Sequence, residues 1–491
     1  MSTAIQPGGR NFGGALPLNA VAGIDSMWIY NNLVLNDRRY PDQYRITNID
    51  GIGDPDIRDG YRSSIAQSSG EQSFQSFYDG RTITLTGKMQ AGNLNKIRAM
   101  QQALRTAFQS TVELPLYVRA GRDYNDDFAV DRLTTDYFFD QGTPTVSGGV
   151  FNVTANTRTL AVNSLFDNGR ATIKFTTAAS LPAAANRYGV ILKRTAPSGK
   201  CLVAFVDFRT GANNSTIGIG FHDDAGTFTA IATNTLTTTL ATATSYWMVV
   251  KVNNDVVTLE FWTATPTLLG TPAFTFNNTI STNATAGLDF GTTKKGISGL
   301  YANPNATPFI TMDDFLLEPA GVFIGCRKNQ ALSIKEAVVN GGVFWSDFLV
   351  TLRASDPRFY DVFRKASTLA FISATTANAT LSSSGNFLSE PIFRLGNAGT
   401  SVVSPTISNL TRAETMSFSG TILTGTSIYF ELNSSSQNKY LRDQTGSSKW
   451  SFFSAGGIIP FVQPGANSFQ IANATINGAP TCQFEWRDCW I

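Results

Sequence analysis

Two stretches far apart in the chain read as halves of one domain. Residues 77–108 carry an alternating strand segment and then an amphipathic helix; residues 344–363 carry a second strand that ends in a turn. Between them lies a long stretch of different character, built of short apolar runs separated by Thr, Asn and Gly turns. A domain interrupted in this way must close its core across the interruption. The inserted stretch must then leave and re-enter at one place, which neighbouring termini permit.

The outer pattern is specific at several points. In residues 81–88 (RTITLTGK), Ile83 and Leu85 alternate with Thr82, Thr84 and Thr86, the period of a half-buried strand. Ile97, Met100, Leu104 and Phe108 then form an apolar helical stripe, with Arg98, Gln101, Gln102 and Arg105 on the wet side and Asn93 placed as N-cap. Upstream, Asn31-Asn32 separates the apolar runs at residues 27–30 and 33–35, which predicts a hairpin. Downstream, residues 322–327 and 348–353 read as strands, and Ala354-Ser355-Asp356-Pro357 as a terminating turn. Residues 367–491 read as strands only, the last at 483–490.

Inside the interruption, residues 171–175, 189–193, 201–208, 246–252 and 256–262 read as short strands without helices, a two-sheet sandwich or jelly roll. Asp126-Asp127-Phe128 opens this stretch and Asp313-Asp314-Phe315 closes it. First and last strands lying side by side would explain how the chain leaves and returns.

Composition excludes several classes. The net charge is +2 with no long run of one sign, so no nucleic-acid stripe or electrostatic membrane surface is expected. No apolar run of about 18 residues predicts a membrane span. The first 22 residues lack the pattern of a signal peptide, so folding in a cytoplasm is the expectation. Four cysteines without a CxxC spacing argue against a zinc knuckle or redox pair. Cys482 and Cys489, if on one strand, would be about 20 Å apart, too far for a disulfide.

The outer segments resemble the distal tail protein (Dit) family of long-tailed bacteriophages. The resemblance is carried by Asp79-Gly80-Arg81-Thr82-Ile83-Thr84-Leu85-Thr86-Gly87 with the helix after it, by Leu352-Arg353-Ala354-Ser355-Asp356-Pro357-Arg358-Phe359-Tyr360, and by the turn Pro464-Gly465-Ala466-Asn467 before a final Trp-containing strand. It implies a mainly β chain: a β-sandwich belt domain with one α-helix (residues 1–122 and 319–366), interrupted by an inserted jelly-roll sandwich (123–318), and a galectin-like C-terminal β-sandwich (367–491). It further implies a structural protein of the virion tail tip or baseplate, assembled in the host cytoplasm. The belt would form a homohexameric ring with tail tube protein and tail hub protein as partners. The insert resembles a laminin-G or concanavalin-like, carbohydrate-binding-type module, with host cell-surface carbohydrate as its ligand.

Catalytic chemistry finds little support in the residues. His222 is the single histidine, so any Ser-His-Asp device would depend on it, and it reads as a loop residue. No GxSxG surrounds a serine, and the paired carboxylates of a glycosidase are missing: the insert's glutamates are Glu260 and the boundary Glu318. The expectation is no enzyme and no cofactor, with calcium in Asp-rich loops of the insert as the alternative that composition admits. A free-standing bacterial lectin or polysaccharide-active enzyme is the competing reading.

For glycan binding, strand parity supplies candidates. Trp247 shares a face with Val249 and reads as core. Val257, Leu259 and Phe261 share one face of the next strand, which puts Glu260 and Trp262 on the other, read as solvent-facing. Trp262 is therefore the stacking candidate, with Glu260 beside it and Tyr301 in a loop at 299–304 as a further contact.

Overall fold

The computed structural model describes residues 27–36, 43–52, 57–58, 63–64, 71–72, 77–78, 80–119, 124–153, 156–161, 168–194, 200–211, 214–222, 227–253, 255–267, 270–283, 297–304, 310–340, 342–370, 376–396, 402–423, 425, 427–432, 439–454, 458–472, 475–476 and 481–491. The chain forms two compact units, Met1–Val118 with Gly321–Ile491, and Arg119–Ala320. Both are mainly β. Asp79 of the family-like segment, residues 1–26 and most of residues 51–60 lie outside the described residues.

The first unit is organised by a sheet in the order Leu33–Leu35, Met27–Tyr30, Leu114–Arg119, Gly321–Lys328, Val343–Ala354, Arg81–Ala91, Gln43–Asp50. Its central pair is Arg81–Ala91 with Val343–Ala354, antiparallel in unbroken register from Arg81 opposite Ala354 to Ala91 opposite Phe344. Strands separated by some 250 residues of chain are thus hydrogen-bonded neighbours. The hairpin at Asn31-Asn32 forms, with φ of 47° and 65°; this left-handed pair is the geometry of a type I′ turn, which Asn tolerates better than most residues.

The helix Leu94–Ala107 starts where Asn93 accepts a hydrogen bond from the Lys96 N–H at 2.9 Å. It buries Ile97, Leu104 and Ala107 against the sheet, and Met100 is partly buried beside them. The ring of Phe108 stacks on Tyr30 at 4.8 Å and 7°. Tyr30 donates its hydroxyl to the Cys326 carbonyl, and Gln101 reaches Ser346, so the hairpin and helix of the first half are tied to strands of the second. Each fully buried large side chain here stabilises the fold by about 1.5–3 kcal/mol.

The remainder of this unit is a sandwich. One sheet runs Lys365–Ala370, Thr481–Trp486, Ile392–Gly396, Ser427–Leu432, Lys439–Asp443; another runs Thr376–Ser383, Gly465–Ala472, Thr406–Asn409, Glu414–Ser417. Phe393, Phe469 and Phe484 meet edge-on between them. The turn at Pro464 is held by Asn467, fully buried, which donates to the carbonyls of Gln463, Gly465 and Leu381.

One expectation needs correction. Residues 483–490 are not a single strand: Thr481–Trp486 ends, and Cys489–Trp490 crosses to pair with Phe359–Asp361. Trp490 thereby enters the core of the helix-bearing sheet. Gly385 permits this crossing, since a Cβ there would stand 2.1 Å from the Cys489 carbonyl oxygen. All four cysteines are buried free thiols.

The crossing also places a carboxyl under strain. Burial pushes the Asp361 carboxyl up to about 7, and Asp488 adds to the shift, while the Phe363 N–H, Lys365 and Arg487 oppose it. The folded state therefore holds this proton more tightly than the unfolded chain, whose aspartates titrate near 3.9. The sign follows: Asp361's contribution is full below about pH 4 and is lost as pH rises through about 7. Because Asp361 keeps some solvent exposure, Asp361→Asn is expected to gain about 1–2 kcal/mol at pH 8 and almost nothing at pH 4. Urea midpoints at the two pH values measure this, and equal gains at both would refute it.

The second unit is a two-sheet sandwich. One sheet runs Thr145–Ser147, Val150–Asn152, Ile310–Pro319, Gly169–Thr177, Ser245–Asn253, Val256–Trp262, Phe274–Thr279; the other runs Tyr137–Gln141, Thr157–Ala161, Ile297–Asn303, Arg187–Arg194, Cys201–Asp207, Thr216–His222, Phe228–Thr235. The core between them holds Phe175, Tyr188, Val190, Val206, Met248, Leu259, Phe261 and Leu300. Tyr124–Asp126 pairs with Ile310–Pro319, Tyr124 opposite Leu317 and Asp126 opposite Phe315, so the chain enters and leaves this unit on adjacent strands.

Candidate functional site

Both sheets of the second unit have an inner face in the core and an outer face with its own chemistry. On the sheet containing Ser245–Asn253, the inner residues are Tyr246, Met248, Val250 and Val252. Trp247 therefore points outward, half-buried, rather than into the core. Its cross-strand neighbour is Trp262, and Val249 faces Glu260. The parity assigned to Trp262 and Glu260 is right, but neither is open to solvent: they are 7% and 9% exposed. Lys251 pairs with Glu260, the Trp262 indole donates to Glu260 at 3.3 Å, and backbone at Gly270 packs on the Trp262 ring. Trp262 lies in a second packed layer, so no free ring face is offered there. Ion pairs Arg170–Glu318 (2.6 Å) and Lys174–Asp313 (2.9 Å) continue the same face.

Tyr301 lies on the other sheet, so the structure does not bring it together with Trp262 and Glu260. It sits in strand Ile297–Asn303 rather than in a loop, and is 1% exposed. His222 is likewise a strand residue, buried, with Nε2 3.0 Å from the Tyr301 hydroxyl. Around them pack Phe205 and Phe228: Phe228 lies edge-on to Phe205 at 5.2 Å and nearly parallel to Tyr301 at 6.1 Å. The Phe228 ring rests on Gly220, where a Cβ would come within 2.4 Å of it, so only glycine admits the ring. Burial pushes the Tyr301 phenol well above its usual range, with Asn303, Arg187 and Arg158 opposing and Asp207 adding. It is a neutral hydroxyl at any physiological pH.

Beside this aromatic cluster a polar row crosses the sheet. Asn303 faces Arg187, Arg187 faces Asp207, Asp207 faces Thr216, and Thr216 faces Thr235. Directly opposite residues in antiparallel strands project to the same side, so all five line one face. The Asp207 carboxylate is buried and fully used: it accepts from the Asn186 N–H at 2.7 Å and from Arg209 Nη2 at 2.7 Å. The Arg187 guanidinium lies 4.6 Å over the Phe228 ring and 3.9 Å from Asp207. Its side chain is 28% exposed and that of Arg209 35%. Aromatic planes beside outward-facing donors are the chemistry of polar-ligand recognition, sugars included.

Sequence reasoning reached Tyr301 here and missed Arg187, Asp207 and Phe228. No local signal marks them, because they sit on three strands joined only by sheet register. Asp223 and Asp224, the acidic neighbours of His222, lie outside the described residues. Among the described residues no group of three or more His, Cys, Asp or Glu converges as a metal site would, and no helix is long and apolar enough to cross a membrane.

No protein-family model and no curated protein matches the chain. Solved structures do. The Dit protein of phage SPP1, described as a paradigm of the hub adsorption apparatus in phages infecting Gram-positive hosts, aligns with 95% of this chain and 99% of its own, at 7% identity and a TM-score of 0.39. The carbohydrate-binding module CBM66 from Bacillus subtilis aligns with 38% of this chain and 96% of its own, at 11% identity and a TM-score of 0.27. The CBM2 module of the evolved Dit of Lactobacillus casei BL23 phage J-1 aligns with 42% and 96%, at 12% identity and a TM-score of 0.27. At TM-scores below 0.5 these likenesses carry no argument about what the chain does. The chain is similar over nearly its whole length to a phage distal tail protein, and over part of it to carbohydrate-binding modules.

Proposed function

We propose that this chain is a structural protein of a bacteriophage tail tip, a distal tail protein carrying a glycan-binding insert. The observation that carries the reading is the pairing of Arg81–Ala91 with Val343–Ala354. Two of the three segments whose residues resemble the Dit family meet as register partners in one sheet, residues 81–83 opposite 352–354, with the whole second unit spliced between them. On this reading residues 1–122 and 319–366 form the belt, 123–318 the insert and 367–491 the outward sandwich. Six belts close a ring that joins the tail tube to the tail hub. Strand Gln43–Asp50 ends the belt sheet with Arg45, Thr47, Asn48 and Asp50 exposed, an edge suited to pairing with a neighbouring copy.

The insert binds host surface glycan through the outer face bearing Arg187, Asn303, Thr216 and Thr235, with Tyr301 and His222 supporting it from beneath. Trp262 and Glu260 brace the opposite sheet. On this reading the role is adhesion; the insert's two glutamates, Glu260 and Glu318, are both engaged in ion pairs.

Negative-stain microscopy of the purified protein is expected to show six-fold rings with peripheral lobes, and mass photometry about six times the 53.0-kDa chain. Removing residues 124–317 should keep the ring, lose the lobes and abolish binding to host wall polysaccharide. A protein that stays monomeric with tail tube and hub proteins present rejects the scaffold reading. Release of oligosaccharides from the polysaccharide would instead identify an enzyme.

A further inference from the structure

We infer that the glycan bound by the second unit is anionic, a surface polymer carrying carboxylate or phosphate groups, and that Arg187 takes its charge while Arg209 neutralises the neighbouring Asp207. The inference rests on the proposed glycan-binding role of the same face.

The argument is one of charge and donor count. Arg187 and Arg209 flank a single carboxylate, Asp207, so this group of three carries a net charge of one positive unit. Asp207 is spent on Arg209, which gives it Nε at 3.2 Å and Nη2 at 2.7 Å, and on the Asn186 N–H. The Arg187 side chain comes no closer than 3.9 Å to it and makes no side-chain hydrogen bond among the described residues. A guanidinium has five N–H donors and cannot lose its charge. The Arg187 guanidinium carbon lies 4.6 Å over the Phe228 ring, and the side chain keeps 28% exposure, so N–H donors remain to meet a ligand. A guanidinium edge matches the paired oxygens of a carboxylate or phosphate. The row continues from Arg187 to Asn303 on one side and past Asp207 to Thr216 and Thr235 on the other, neutral groups suited to the hydroxyls next to the charged group.

A neutral sugar would leave this guanidinium unpaired on binding. An anionic one supplies the missing charge, and its repulsion from Asp207 is offset because Arg209 already neutralises that carboxylate.

The test uses the full chain and three immobilised polymers: polygalacturonate for carboxylate, poly(glycerol phosphate) for phosphate, and dextran as the neutral control. Binding to at least one polyanion and not to dextran is expected, and the preferred polyanion identifies the charged group. Affinity should fall about tenfold or more between about 50 mM and about 500 mM NaCl. Arg187→Gln should weaken polyanion binding by about tenfold or more with unchanged melting temperature, whereas Arg209→Gln strands the buried Asp207 carboxylate and should lower the melting temperature as well as weaken binding. Arg170→Gln, on the opposite sheet, is the control and should bind as the parent does. Binding to dextran or neutral wall polysaccharide alone overturns the anionic assignment and leaves the glycan role standing. Binding to no polymer and to no host wall polysaccharide overturns both. Polyanion binding that survives Arg187→Gln refutes the assigned residue.

Discussion

Trp490→Ala is expected to destabilise the first unit by about 3–5 kcal/mol, the cost of emptying a large aromatic site in a core. Trp490 is 1% exposed and lies in the core with Trp28, Ile83 and Phe359. Its strand pairs Trp490 with Phe359 and Cys489 with Tyr360. The Cys489 carbonyl accepts from the N–H groups of Asn386 and Phe387, and the Ile491 N–H donates to the Asn386 side chain. Trp490→Phe separates volume from polarity. The Trp490 indole N–H is buried without a hydrogen-bond partner among the described residues, so phenylalanine loses some contact but removes an unsatisfied donor, and a cost below about 2 kcal/mol is expected. Urea unfolding of the three proteins checks both numbers. An alanine cost under about 1 kcal/mol would mean that the last strand is not part of the core.

The second large effect concerns Asp356. Its carboxylate accepts from Arg358 Nε and Nη2, each at 2.7 Å, from the Arg358 N–H at 3.1 Å and from the Tyr360 hydroxyl at 2.6 Å. Arg358 also reaches Glu390 at 3.0 Å and the Leu388 carbonyl, so one guanidinium bridges the turn after strand Val343–Ala354 to the segment before strand Ile392–Gly396. The side chains of Asp356 and Arg358 are 8% and 15% exposed, so little water replaces a lost partner. Asp356→Ala leaves Arg358 facing Glu390 alone and is expected to cost about 3–5 kcal/mol. Arg358→Lys should also destabilise, since an ammonium cannot reproduce two parallel bonds to one carboxylate. In the double variant Asp356→Ala/Arg358→Ala the losses should fall short of their sum by about 1–3 kcal/mol, because the second change removes a charge already stranded. Additive losses measured in the same denaturation series would refute the network.

Much of the local structure was legible. Asn93 and the stripe Ile97, Met100, Leu104, Phe108 set the helix, because cap chemistry and 3.6-residue periodicity act within a few residues. Asn31-Asn32 set a hairpin for the same reason: the left-handed geometry belongs to the turn itself. The face assignments were weaker. Period-two alternation separates Glu260 and Trp262 from Leu259 and Phe261 but does not say what covers each side. Val249, apolar and 3% exposed, lies on the outer face and drew Trp247 into the core by analogy. An outer face that is itself packed breaks the usual link between apolar and inward.

The sequence by itself marked many of the strands, the helix Leu94–Ala107 and the Asn31-Asn32 hairpin, because each depends on contacts between residues close in the chain. The tertiary structure alone decided that Arg81–Ala91 lies against Val343–Ala354 in unbroken register, and that the C-terminus returns to the first core through Trp490. It likewise decided that Asn303, Arg187, Asp207, Thr216 and Thr235 form one row. Those outcomes depend on strand pairing, and pairing is fixed by the packing of whole sheets, which no local spacing records.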